Sequence, residues 1–230
     1  MNLAIIPARG GSKRIPKKNI KSFAGKPLIA HSIETAIESN CFDKIMVSTD
    51  SDEIAEVATK YGAEVPFIRP AELSDDYTGT RAVTNHAIQY YLDKGFQIEF
   101  TCCIYATAPL LQADYLAGAL KQLQQQLDKA FAFSVCSFPF PVQRALKHDG
   151  DGVTPMYPEH IGSRSQDLTE AFHDAGQFYW GRTNDYLSPK GIFSPHSLPI
   201  FLPRYLVQDI DTLEDWQTAE ILYKLITKTG

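Results

Sequence analysis

The chain has 230 residues, 44% of them apolar, which is enough for one large α/β domain with a full core. A formal net charge of −5 disfavours a general nucleic-acid binder, because phosphate-backbone binding needs a net basic face. No apolar run approaches a membrane span and no secretory leader is visible, so the expectation is a soluble, cytoplasmic protein with neither nucleic-acid nor membrane partners.

The first apolar run, Leu3-Ala-Ile-Ile-Pro, reads as a buried strand and breaks into Ala8-Arg9-Gly10-Gly11-Ser12-Lys13-Arg14, followed by Lys17, Lys18 and Asn19. A strand that empties into two glycines and a run of cations is suited to an anion. Gly10 and Gly11 lack a Cβ, so the loop is expected to turn tightly and aim consecutive N–H groups at phosphate oxygens. The spacing is neither Gly-x-x-x-x-Gly-Lys-Ser/Thr nor Gly-x-Gly-x-x-Gly, which disfavours a Walker-type loop and a nicotinamide dinucleotide site.

Pro27 then opens a helix with Ile29, Ile33, Ala36 and Ile37 at helical spacing, and a strand follows over 44–49. Asp50-Ser51 caps a helix bearing Ile54, Val57, Ala58 and Tyr61, which ends at Gly62. A short strand over 64–68 leads to Arg69-Pro-Ala-Glu-Leu73. Asp75, Asp76, Thr78 and Thr80 read as caps for another helix near residue 81. The continuous apolar run over 100–105 suits the sheet centre and ends in Ala106-Thr107-Ala108-Pro109. Leu116, Leu120, Leu123 and Leu127 mark the next helix.

After a strand over 130–136, residues 137–170 hold no helix of normal length and read as a hairpin-like arm within a single domain spanning 1–230. The pattern resumes at Gly176-Gln-Phe-Tyr-Trp180. A last apolar run over 204–207 reads as a strand delivering Asp209 and Asp211 on one side of the chain, and Thr212 caps a final helix with Trp216, Ala219, Leu222, Tyr223 and Ile226 inward. The strand-helix alternation predicts a three-layer α/β/α sandwich with a mostly parallel, Rossmann-like sheet and a site beyond the carboxyl ends of its strands. Four cysteines without C-x-x-C spacing read as buried thiols. Two hard carboxylates at 209 and 211 suit Mg²⁺ on a triphosphate, although a capping role for one of them stands beside that reading.

The stretch from Leu3 to Asn19 resembles, nearly residue for residue, the opening motif of the sugar-acid cytidylyltransferases, the family that makes CMP-sialic acid and its relatives. Asp209-Ile-Asp211 is similar to that family's metal motif, and Arg69-Pro-Ala-Glu-Leu to a nucleotide-contacting segment. The resemblance implies CTP and a nine-carbon sugar acid as substrates, with pyrophosphate as the second product. It implies nucleotide contacts from Ala8, Arg9, Gly10, Gly11, Ser12, Lys18, Asn19, Arg69 and Thr80, catalytic roles for Arg9, Lys18 and Asp211, and Mg²⁺ on Asp209 and Asp211.

Two segments depart from the sialic-acid pattern. Tyr105-Ala-Thr-Ala-Pro109 stands for a Gln-Pro-Thr-Ser-Pro-like segment, and His173-Asp174-Ala-Gly176-Gln177 for Asn-Gly-Ala-Ile-Tyr. These departures resemble the branch that activates pseudaminic acid for bacterial surfaces and flagellins. They imply sugar contacts from Tyr105, Thr107, Asp174 and Gln177, with Arg164 near the sugar carboxylate. The family's homodimers exchange an arm, so residues 137–170 are expected to meet a second copy. N-acetylneuraminic acid, legionaminic acid and Kdo remain alternative sugars, and a non-catalytic nucleotide-binding module is the alternative of another class.

Overall fold

A computed structural model describes residues 1–228. In strand β1 (Asn2–Pro7), Leu3 and Ile5 point to one face of a sheet and Ala4 and Ile6 to the other, and all four are fully buried. Burial on both faces is what a near-continuous apolar run predicts. After the cationic loop come the two-residue strands β2 (Ser22–Phe23) and β3 (Lys26–Pro27), then α1 (Leu28–Glu38), with Pro27 at its cap instead of inside it. Strand β4 (Lys44–Ser48) pairs parallel with β1. Helix α2 (Asp52–Lys60) is capped by the Ser51 hydroxyl, which accepts from the Ile54 N–H, and ends before Gly62 at φ +97°.

Helix α3 (Thr80–Asp93) precedes β5 (Phe100–Ile104), and α4 (Ala113–Gln125) precedes β6 (Phe131–Ser137). The arm carries an antiparallel hairpin, β7 (Leu146–Asp149) with β8 (Gly152–Pro155), flanked by 3-10 turns. The chain returns along β9 (Phe172–Arg182), turns through α5 (Thr183–Tyr186), adds β10 (Ser197–Phe201) and closes with α6 (Leu213–Lys228). The six-stranded sheet has the order β10-β6-β9-β5-β1-β4, and β9 alone runs antiparallel to its neighbours. Helices α1, α2 and α4 pack on the face of Ala4 and Ile6, whereas α3 and α5 cover Leu3 and Ile5. This is the expected α/β/α sandwich.

Several local expectations are corrected. Residues 64–68 make only two isolated parallel bridges, Met46 with Glu64 and Thr49 with Ile68, because Pro66 interrupts the ladder. Residues 204–207 form a 3-10 turn (Arg204–Leu206) and not a strand, so Asp209 and Asp211 follow irregular backbone. Strand β10 goes unread in the sequence. Leu127 lies beyond α4 and is exposed, as is Ile37 on α1. Cys102, Cys103 and Cys136 are buried as expected, Cys41 is only half-buried, and all four cysteines are free. No helix among the described residues is long and apolar enough to cross a membrane.

Candidate functional site

Strands β1 and β5 end side by side, and the chain beyond them opens onto a cleft of about 490 Å³. Arg9, Ser12, Lys13, Arg14, Lys18 and Asn19 enter it from the loop after β1, Arg69, Asp75, Asp76 and Thr78 from the segment before α3, Thr80 from the start of α3, Tyr105 and Thr107 from the end of β5, and Asp211 from the chain before α6. Of the residues expected in a site, Arg9, Ser12, Lys18, Asn19, Arg69, Thr80, Tyr105, Thr107 and Asp211 therefore share one cavity.

The loop is braced from below. Buried Asn19 donates from Nδ2 to the Arg9 carbonyl at 3.0 Å. The Gly10 N–H donates to Asp50 Oδ1 at 2.8 Å and the Ser12 N–H to the Gly10 carbonyl at 3.0 Å. These two amides are thereby engaged within the protein, so the expectation of consecutive N–H groups aimed at phosphate is corrected. Gly10 instead packs closely on the start of α2: a Cβ there would stand 3.2 Å from Ser51 Cβ, a tight contact. Asp50 is the organising residue that the sequence reading left as a cap. It holds the Gly10 amide and lies 3.7 Å from Arg69 Nη2. Arg69, 4% exposed, also donates from Nε to Ser74 Oγ at 3.1 Å and from Nη1 to the Ser48 carbonyl at 3.4 Å. Burial lowers its pKa, opposed by the charge of Asp50.

The cations of the loop are each matched by an acid. Arg9 and Lys13 both pair with Asp76, Lys17 pairs with Glu53 at 2.7 Å, and Arg14 and Lys18 approach Asp211 Oδ1 at 2.8 and 3.4 Å. Lys18 Nζ also donates to the Ile210 carbonyl at 2.6 Å, which ties the loop to the chain before α6. Asp75 and Asp76 are thus not helix caps. Asp75 Oδ1 accepts from the Tyr77 and Thr78 amides at 3.0 and 2.6 Å and shapes a tight turn, and the Thr78 side chain, followed by these amides, holds its carboxyl below the usual range. Bonds from Lys13 and Arg9 do the same for Asp76.

Other expected residues lie elsewhere. Ala8 is buried in the core and Gly11 does not line the cleft. Gln177 is 3% exposed and points inward, donating to the Leu206 carbonyl, so its expected sugar contact is not made from this position. Arg164 is exposed on the arm. Asp174 faces a second cavity of about 340 Å³, lined also by Phe133, Phe172, His173 and Phe193. Asp209 is on the surface outside the first cleft. The loss of water on its protein side and then the charge of Asp211 push its pKa up, with Lys18 opposing. Among the described residues no group of three or more His, Cys, Asp or Glu side chains is placed to hold a metal.

Comparisons with known proteins agree with this architecture. A family model described as Cytidylyltransferase matches residues 3–211. The chain is 50% identical over 225 residues to the pseudaminic acid cytidylyltransferase of Campylobacter jejuni, covering 97% of each chain. It is 30% identical to the CMP-N,N'-diacetyllegionaminic acid synthase of Legionella pneumophila, covering 97% of this chain and 96% of that one. Among solved structures, a CMP:2-keto-3-deoxy-manno-octonic acid synthetase complexed with CTP superposes with a TM-score of 0.71 at 13% identity, covering 97% and 98% of the two chains, which shows the shared fold.

Proposed function

The chain belongs to the cytidylyltransferase family, and from that premise we propose that it transfers the cytidylyl group of CTP to pseudaminic acid, giving the CMP-sugar and pyrophosphate. The observation that carries the reading is the convergence of Arg9, Lys13, Arg14 and Lys18 with Asp211 on one cleft beyond the carboxyl ends of β1 and β5. The triphosphate would lie along the loop in exchange for the acids that now neutralise it. The sugar's anomeric hydroxyl attacks the α-phosphorus, the bridging P–O bond to the β-phosphate breaks, and pyrophosphate leaves. Arg9 offers a planar guanidinium to phosphate oxygens. Lys18 uses two N–H donors on Ile210 and Asp211, which leaves a third for the phosphate chain.

A divalent cation fits the end of the cleft at Asp211. The Asp209 carboxyl is raised first by its partial loss of water and then by the charge of Asp211, and a cation would relieve that second contribution. With only two carboxylates from the chain, the remaining ligands would be phosphate oxygens and water. When bound, Mg²⁺ would supply positive charge to the leaving pyrophosphate. Asp211 would hold it and Asp209 would complete the pair, while Arg14 and Lys18 keep Asp211 oriented.

Tyr105 and Thr107 would meet the sugar acid from the end of β5, and Thr80 the nucleoside. The arm's exposed Leu146, Val153, Met156 and Ile161 support a homodimer in which Arg164 serves the partner's sugar carboxylate. A cytoplasmic setting follows from the need for CTP, and the product would supply glycosylation of flagellin or other surface polymers.

Pyrophosphate release, measured with CTP against pseudaminic, N-acetylneuraminic and legionaminic acids and Kdo, with and without Mg²⁺, tests the proposal. Turnover is expected with pseudaminic acid and only in the presence of the metal. Preferential turnover of another acid overturns the substrate, and CTP binding without any turnover would favour a regulatory module.

A further inference from the structure

Strand β4 lies between β1, which pairs with it in parallel, and segment 64–68, which bridges it from the other edge. Its carboxyl end is therefore a joint between two walls of the cleft. The Ser48 carbonyl accepts from the Ala8 N–H at 2.9 Å, at the root of the loop after β1, and from Arg69 Nη1 at 3.4 Å. The Thr49 carbonyl accepts from the Arg69 N–H at 2.7 Å. Asp50 repeats the pattern with one side-chain atom: its Oδ1 accepts the Gly10 N–H at 2.8 Å and stands 3.7 Å from Arg69 Nη2. Ser51 caps α2 immediately afterwards, so the carboxylate sits on a turn fixed by a strand on one side and a helix on the other.

Arg69 depends on that neighbour. Ser74 Oγ and the Ser48 carbonyl take one N–H each, which leaves donors of the guanidinium over for a ligand. Among the described residues Asp50 is the acid within ion-pair reach of it. Burial works against the Arg69 charge, Asp50 supports it, and the charge of Arg9 opposes it again. Arg9 and Arg69 both line the cleft, so a single carboxylate offsets the repulsion between two guanidinium groups that enter one cavity. Asp50 does not line the cleft, and what it does there it does through Gly10 and Arg69.

We propose that Asp50 is a positioning residue that keeps the loop after β1 and the Arg69 guanidinium in register, so that the phosphate chain and the nucleoside of one ligand are gripped together. The proposal rests on reading the cleft as the nucleotide site. The loop cations Arg9, Lys13 and Lys18 alone would take any polyphosphate. Arg69, held at a fixed offset from them, adds the requirement that a hydrogen-bond-accepting nucleoside be attached to it.

Calorimetric titration of CTP and of inorganic tripolyphosphate, in one Mg²⁺-containing buffer and without sugar acid, tests this in the unsubstituted protein, Asp50→Asn, Arg69→Met and the double variant. An asparagine at 50 still accepts from the Gly10 N–H through its amide oxygen but offers Arg69 no charge. Removing a negative charge beside the loop favours both polyanions, so the readout is the ratio of the two affinities. The preference for CTP over tripolyphosphate should fall about tenfold in Asp50→Asn, about as far in Arg69→Met, and no further in the double variant. A carboxylate that merely supports the fold would lower both affinities together, so an unchanged ratio in Asp50→Asn overturns the proposal. Losses that add in the double variant overturn it as well. Should Asp50→Asn melt early, Asp50→Glu, which keeps the charge but moves it by one methylene, carries the same test. An unsubstituted protein that binds CTP no more tightly than tripolyphosphate overturns the nucleotide reading itself, and that result is seen before any substitution is made.

Discussion

Asp76 pairs with both Arg9 and Lys13 at the cleft, so in the proposed function it is the counter-ion that a triphosphate would displace. Its side chain is 38% exposed, so the pairs are weak in energy but occupy the cations the ligand needs. Asp76→Asn is expected to lower KM for CTP about two- to fivefold at low ionic strength, with the gain shrinking as salt screens the loop. An unchanged KM would mean that Arg9 and Lys13 do not meet phosphate. Asp211 has the opposite character, because it is matched with Arg14 and Lys18 and stands closest to where a metal would sit. Asp211→Ala should abolish pyrophosphate release while leaving the melting temperature nearly unchanged, and substantial remaining activity would contradict its assignment.

Two elements fix the frame around these residues. At Gly181 in β9 a Cβ would come 2.6 Å from the Tyr186 ring and 2.7 Å from Phe131 Cδ1, both in the buried face under α3 and α5. Gly181→Ala is therefore expected to cost about 1–3 kcal/mol in chemical denaturation. The start of α6 is closed by Asp215, whose Oδ2 accepts from the Asp211 and Thr212 amides at 3.1 and 2.7 Å. Asp215→Ala should cost about 1 kcal/mol and loosen Asp211 as well. Because the Thr212 hydroxyl, followed by these amides, holds the Asp215 carboxyl below its ordinary value, its contribution is present above the usual carboxylate range and is lost as the pH falls through the lowered value, a loss that acid denaturation of the variant should no longer show. Elements with strong local signals were legible in sequence: β1 from its apolar run, α2 from the Ser51 cap and Gly62, α6 from Thr212. Strand β10 was not, because Pro199 argues against a strand and is tolerated only at an edge, where β10 lies. The register shift between β6 and β9 was equally invisible, since nothing in Asp174-Ala-Gly-Gln-Phe-Tyr179 announces that its two ends touch.

At the scale of the whole molecule, the cationic loop, the acidic segment before α3 and the chain before α6 come together across long stretches of sequence, Lys18 and Asp211 being 193 positions apart. Motif resemblance predicts that meeting, whereas a 3-10 turn replaces the strand expected before Asp209 and Asp211, and only Asp211 faces the cleft. For the proposed dimer, sedimentation at micromolar concentration should give twice the chain mass, and Val153→Lys combined with Ile161→Lys should shift it to one chain, since both side chains are exposed on the arm. A single-chain mass for the unsubstituted protein would remove Arg164 from any shared site. The reversed direction of β9 has a final consequence. The arm leaves at the carboxyl end of β6 and re-enters at the amino end of β9, so both its roots are planted on the rim where β1 and β5 also finish. Segment 138–171 thus hangs from one rim by two adjacent roots, so a cassette of another length could be grafted between them while β6 and β9 keep their pairing.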